Sequence, residues 1–437
     1  ANDVMEYVPL IDMDEAAKAA IIGEARAFRA FCYFQLVRLW GDMPKVVNSV
    51  SSLADFNLPR SSVDEIYNEI IIPDLQYAEE FGADEVHIGR LTKWTAKVIL
   101  ADVYLTRAGW RRTSQGDKVK GDTSNWALAA AKAKEVIEDS PHELITAPFI
   151  DGEHTTPACG VAWEETQPFS IESMFELAST NIGGLGSFLS RECVNRPNGG
   201  IYWGGNNSTP LVDEGITLRV RDMVWPGATT NGGTLLPSPD LYSAFEDGDE
   251  RRDWALVTRY IDADGNNYLC QPQFRKYMDM EFFLGGEDTA FQRTGNNFIL
   301  YRYADALLIF AEAENEVNGP TTDAYDAMND IRNRAGLASF SGLSKDEFRT
   351  AILKERRLEL HGEAKRRFDL IRTDGFADME VDLITVWGAD QGSANDLIFS
   401  PDYGTVAWPD QEWLLPIPQS VINVNRVNDW YQNDGYN

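Results

Sequence analysis

From Ala16 to Trp40 the chain runs without a proline, and its apolar and small side chains fall on more than one helical face. Ala17, Ala20, Ile21, Phe28, Phe31, Cys32 and Leu39 form one stripe; Ala16, Gly23, Ala27, Ala30 and Phe34 form a second. A surface helix carries a single apolar stripe, so this one is predicted to lie buried between neighbours in a packed helical array. Gly41-Asp42-Met43-Pro44 ends it, because proline cannot continue a helix.

The same period recurs downstream. Ser62, followed by Asp64 and Glu65, caps a second helix that runs toward Phe81. A third is predicted from about Arg90 to Ala108, with Trp94, Val98, Ala101 and Leu105 on one face, and an alanine-rich fourth from Asn125 to Asp139. Arg111–Thr123 between them reads as a polar loop. Helical periodicity then fades. Residues 141–299 are rich in Gly, Pro, Asn and Thr, with a short helix at Ser238–Glu246 and two strand ends meeting at Tyr260–Tyr268. Irregular stretches of that length inside a compact protein are usually functional loops.

Helices return at Leu300–Val317 and Thr322–Ala335, split by Asn318-Gly319-Pro320, a hairpin of roughly tetratricopeptide length. A long charged helix over Ser344–Arg372 follows, and then a loop-like tail. The expected fold is mainly α: a tetratricopeptide-like helical-hairpin array with an inserted irregular, loop-rich subdomain. Its parts are 1–140 (first helical part), 141–299 (irregular, carrying ligand loops), 300–375 (second helical part) and 376–437 (loop-rich C-terminal segment) in one integrated fold.

Charge narrows the function. Lys and Arg number 39 against 69 Asp and Glu, a formal net charge of -30. Nucleic acid and anionic membranes bind by having phosphates neutralised, so both are disfavoured partners, as is a strongly anionic polysaccharide unless a local basic pocket overrides the field. No stretch has the ~18–20 uninterrupted apolar residues of a membrane span. Cys32, Cys159, Cys193 and Cys270 include no C-x-x-C pair. Cys159 and Cys193 sit in loop-like sequence and could pair in an oxidising compartment. His87, His142, His154 and His361 are scattered, so no metal is expected. Asp262-Ala263-Asp264-Gly265-Asn266 resembles the start of a calcium loop, but its glycine comes too early and a turn reads better. No cofactor is expected.

Several segments resemble one family, in that family's order. Gly23-Glu24-Ala25-Arg26-Ala27-Phe28-Arg29-Ala30-Phe31 running into Leu39-Trp40-Gly41-Asp42-Met43-Pro44 is similar to the first signature helix of SusD/RagB proteins. Gly89-Arg90-Leu91-Thr92-Lys93 through Ala101–Leu105 resembles the next, Tyr301-Arg302-Tyr303-Ala304-Asp305 with Asn329–Leu337 the third, and Glu355–Leu360 with Arg367–Arg372 the fourth. Leu414-Leu415-Pro416-Ile417-Pro418-Gln419 and Gln432–Tyr436 look like its C-terminal signature. The resemblance implies an outer-surface lipoprotein that binds oligo- or polysaccharide, catalyses nothing, and lids a SusC-like TonB-dependent transporter at the outer membrane. It also implies a further segment ahead of Ala1, holding the lipid-anchor cysteine and, in some members, ligand-contacting aromatics. Peptide capture by a RagB-like import protein is the alternative; glycoside hydrolysis is a third reading without a nucleophile, acid or metal constellation to support it.

Glu24, Arg26, Arg29, Arg356, Glu359, Arg367 and Asp369 read as an internal ion-pair network, since buried charges must be paired. The ligand residues are sought among loop aromatics, because sugars lay C–H-rich faces on Trp or Tyr and offer hydroxyls to amides. Tyr202, Trp203 and Asn206 lie in a glycine-rich run, and Trp225 and Trp387 are flanked by loop residues. Trp40, Trp94, Trp126 and Trp254 read as core, and Trp408 and Trp413 are ambiguous.

Overall fold

The computed structural model describes residues 1–51, 58–85, 89–152, 154–164, 166–180, 186–187, 189, 193, 237–261, 267–277, 295–375, 386–389, 397–400, 410–425, 428 and 430–436. Eight helices form the frame: α1 (Glu15–Trp40), α2 (Ile72–Phe81), α3 (Lys93–Ala108), α4 (Asn125–Asp139), α5 (Tyr303–Asn318), α6 (Thr322–Arg334), α7 (Lys345–Glu359) and α8 (Arg366–Arg372). In sequence order α1 packs on α2, α2 on α3, α3 on α4, and α5 on α6 and α7. The array is continuous because α4 also packs directly against α5, although about 160 residues separate them in the chain. One apolar cluster runs through both halves, from Ala27 and Phe34 through Ile99 and Leu105 to Leu308, Phe348 and Ile352.

The starts of these helices follow from their caps. Asp14 accepts from the Ala17 amide at 2.9 Å, and Thr92 and Thr95 bond reciprocally in a capping box, which moves the third helix start from Arg90 to Lys93. Ser62 caps the predicted second helix, but that helix contains a π-turn over Tyr67–Ile71, where the Ile72 amide bonds back to the Tyr67 carbonyl. Pro73 follows at once; it lacks an N–H, and the wider turn absorbs the break in the ladder.

Several expectations need correction. The first stripe of α1 is not buried: Phe28 is 47% exposed, and Ile21, Phe31 and Cys32 are only half-buried, whereas Gly23, Ala27, Ala30 and Phe34 are inside. The helices enclosed on all sides are α3 and α5. Arg111–Thr123 contains a β-hairpin, Trp110–Arg112 paired with Lys118–Lys120, turned at Gly116 with φ 94°. Leu300–Arg302 belongs to a strand rather than to α5. The long charged helix breaks after Glu359, where Gly362 at φ 76° turns the chain and lets Glu359, His361 and Glu363 all face inward. The tail carries a hairpin, Val386–Ala389 with Leu397–Ser400, and a helix at Gln419–Val424.

The inserted block leaves and rejoins the array through a two-stranded gate. Its ingoing strand, Ser173–Leu177, pairs antiparallel with its outgoing strand, Phe298–Arg302. Within the block, Pro239–Ala244 is a short helix capped by Ser238, and Leu256–Ile261 pairs with Asn267–Phe274, placing Tyr260 opposite Tyr268 as the sequence suggests. Cys32, Cys159 and Cys193 carry no disulfide, and burial raises the Cys159 thiol to about 12.

Candidate functional site

The block is locked to the frame by a buried ionic cluster just behind the gate. Arg302, at the end of the outgoing strand, has none of its side chain exposed. Its guanidinium meets Glu172 at 2.8 Å, Glu359 at 2.6 Å and Glu363 at 2.9 and 3.0 Å. Arg334 from α6 holds the other oxygen of Glu172 at 2.7 Å and also bonds Glu359. Arg251, on the helix Glu250–Ala255 inside the block, forks onto Asp249 at 2.8 and 2.9 Å and reaches Glu355 at 2.5 Å and Glu359 at 3.0 Å on α7. Lys276 donates to Glu363 at 2.7 Å and to the Glu359 and His361 carbonyls at 3.1 Å.

Buried carboxylates would ordinarily resist ionisation. Here burial pushes Glu363 upward, but Arg302 and Lys276 outweigh it and hold the carboxyl down at about 2. Glu359, among Arg334, Arg302 and Arg251, lies well below the usual carboxylate range for the same reason. Groups fixed as anions serve as anchors. A general acid at neutral pH needs the opposite shift.

The predicted ion-pair residues divide. Arg356 forks onto Asp369 at 2.9 and 3.0 Å, and Arg372 joins that pair to Glu312. Arg29 forks onto Asp74 on α2 at 2.7 and 2.9 Å, with Arg26 at 3.5 Å. Glu24 pairs with Arg90 at the surface, and Arg367 donates to the carbonyls of Glu412 and Trp413 rather than to a carboxylate. Arg302, Arg251, Arg334 and Lys276 are not among the predicted ion-pair residues, yet they carry this cluster. A visible signal stood in Tyr301-Arg302-Tyr303-Ala304: an arginine within an apolar run must be paired where it is buried.

Of the expected ligand contacts, Tyr202, Trp203, Asn206 and Trp225 lie outside the described residues, as does the turn at Asp262–Asn266. Trp387 is not on a loop: it falls on the strand Val386–Ala389, opposite Phe399 in the register. Trp94, Trp254 and Trp413 are buried, and the Trp430 indole donates to the Leu58 carbonyl at 2.9 Å. Among the described residues no cluster of His, Cys, Asp and Glu is arranged to hold a metal, and no helix is long and apolar enough to cross a membrane.

Beside the gate lies an open groove of 710 Å³, walled by Ile21 and Phe28 of α1, by Leu91, and by Met174, Phe175 and Leu177 of the ingoing strand. His142 forms part of it: Nδ1 sits 2.9 Å from the Ile171 carbonyl, which leaves Nε2 as a buried acceptor without a partner. Ile21 and Phe28 of the first α1 stripe line this groove, whereas Phe31 packs edge-on against Phe175 and Tyr301.

A tetratricopeptide-like helical frame fastens a loop-rich block beside one gate. Comparison with known proteins gives the class. The SusD family model matches residues 222–436, and a second, described as starch-binding associating with outer membrane, matches residues 1–105. The chain belongs to the SusD/RagB family. Two SusD-like proteins of Formosa agariphila are 29% and 28% identical to it, over 88% and 100% of this chain and 69% and 78% of their own. A SusD superfamily protein from Parabacteroides distasonis shares the fold with a TM-score of 0.75 at 25% identity, covering 100% of this chain and 83% of that one. A laminarin-binding SusD-like protein superposes with a TM-score of 0.70 at 23% identity, covering 100% and 83%.

Proposed function

We propose that this chain captures oligo- or polysaccharide at the outer face of the outer membrane, without catalysis, and delivers it to a SusC-like TonB-dependent transporter. Family membership carries the reading; the starch-binding description of the matching N-terminal model and the laminarin-binding relative support its carbohydrate half. Tyr202, Trp203, Asn206, Trp225 and Trp387 are proposed as contacts, because flat rings and amides are the side chains that sugars select. The net charge of -30 favours a neutral glycan at those contacts. A lipid anchor ahead of Ala1 would hold the protein at the surface.

Isothermal titration against a panel of neutral oligosaccharides tests this, with mixed peptides as a second arm. Binding to at least one glycan is expected. Silence across the glycan panel with capture of peptides would replace glycan import by peptide import, and reducing-sugar release by the purified protein would overturn the non-catalytic assignment.

A further inference from the structure

A second cavity, of 490 Å³, lies at the C-terminal ends of α1 and α3, bounded also by the segment around Val63–Asn68, the hairpin Trp110–Lys120 and α8. That volume lies within the range of small-molecule sites. Its wall reverses the sign of the protein. Arg38, Arg107, Arg111, Arg112, Lys120 and Arg372 face it, against Asp64 and Asp122.

Three of these cations are already neutralised. Arg111 meets Asp64 at 2.7 Å, Arg112 meets Asp434 at 3.3 Å, and Arg372 is held by Glu312 and Asp369. The rest are not. Arg107 donates to the uncharged Asn68 amide at 3.1 Å and, among the described residues, has no carboxylate at ion-pair distance, although Asp122 is close enough to feel its charge. The Lys120 ammonium stands 5.8 Å from the Trp110 ring and forms no ion pair among the described residues.

Arg38 is the third. Its side chain is 8% exposed, clamped between the Phe34 and Phe368 rings at 3.8 and 3.9 Å. It reaches Gln35 at 2.8 Å, and Asp102 only at 3.5 Å, a carboxylate that also takes the Tyr301 hydroxyl at 2.5 Å. The buried Nε of Arg38 has no acceptor, and neither does the buried Thr106 hydroxyl on the same wall. Buried donors without acceptors are costly, so the cavity is short of negatively charged oxygen.

We propose that this cavity is a ligand site for a sugar unit bearing one carboxylate or sulfate. The anion is taken by Arg38, Arg107 and Lys120, and the ring lies on Trp110. The sugar part rests on the glycan reading above; the anion part stands without it. The site is a local exception to the acidic field, separate from the loops proposed for neutral glycan.

Calorimetry at low salt with glucuronate, glucose 6-sulfate, glucose and inorganic sulfate tests the assignment on the full chain. Both anionic sugars are expected to bind, to weaken as salt rises, and to lose about ten- to hundredfold in affinity in Arg107→Gln. Lys120→Gln, at an exposed position, reads the same charge if Arg107→Gln fails to fold. Anionic sugars binding no tighter than glucose, or unchanged by both substitutions, overturn the proposal. Sulfate binding as tightly as glucose 6-sulfate overturns its sugar half. Neutral-glycan binding that survives Arg107→Gln keeps the two sites distinguishable, whichever one fails.

Discussion

Arg302 and Glu172 face each other at 2.8 Å with neither side chain exposed, one closing the outgoing strand of the inserted block and the other standing just ahead of its ingoing strand. The pair therefore sits where the block joins the helices, and Arg334 on α6 clasps the second oxygen of the same carboxylate. Removing one partner strands the others in low dielectric. Arg302→Met is expected to destabilise the protein by about 3–5 kcal/mol, since Glu172, Glu359 and Glu363 lose a common cation. Chemical denaturation reads it, and a loss below about 1 kcal/mol would show that the cluster is not a keystone.

Acid acts on the same cluster through Glu363. Its folded pKa of about 2 lies below the ordinary glutamate value, so the unfolded chain binds the extra proton first. The stability it contributes is complete above roughly pH 4.5 and is lost as pH falls toward 2. Glu363→Gln should flatten that part of a stability-versus-pH curve while lowering its plateau; an unchanged acid limb would mean that other carboxylates set it.

His361 governs a higher window. Burial, with Lys276 nearby, pushes its imidazole down to about 3, while Nδ1 bonds the Leu358 carbonyl at 2.6 Å and the ring stacks on Phe274. The unfolded histidine takes its proton near pH 6.5, the folded one only near 3, so stability falls as pH drops between those values. His361→Phe should remove that slope in denaturation midpoints measured from pH 4 to 7. A slope of the same size in the variant would assign it to another group.

Gly160 lies against the Trp254 indole so closely that an added Cβ would come within 2.5 Å of the ring. Trp254 in turn packs on Trp163, 6.4 Å between centroids. Gly160→Ala is expected to cost about 1–3 kcal/mol by overpacking and to alter tryptophan emission. Wild-type stability would show that the indole yields freely.

Trp203→Ala should weaken neutral-glycan binding by about 1–3 kcal/mol with the thermal midpoint unchanged. Titration calorimetry checks it, and undiminished affinity would move the contacts elsewhere.

The helical frame was legible because periodicity and caps are local: Ser62 and the Asn318-Gly319-Pro320 break need only neighbouring residues to be understood. What was misread depended on partners far along the chain. Glu359 and Glu363 looked like one continuous helix face, yet Arg302, Arg334 and Lys276 draw both inward and the chain turns at Gly362 to permit it. Phe28 looked like core because its stripe is apolar, and only the position of the Ser173–Leu177 strand shows that Phe28 borders a groove. The basic cavity was invisible for the same reason: Arg38, Arg107 and Lys120 come from separate elements, and the overall charge pointed the other way.

The strand that departs from the array hydrogen-bonds to the strand that returns, and Arg251 and Lys276 of the block fasten onto Glu355, Glu359 and Glu363 of the frame. Loops of the block that carry none of these anchors lie apart from the packing of α4 against α5. One inherited skeleton is thereby free to acquire new tastes without having to learn to fold again.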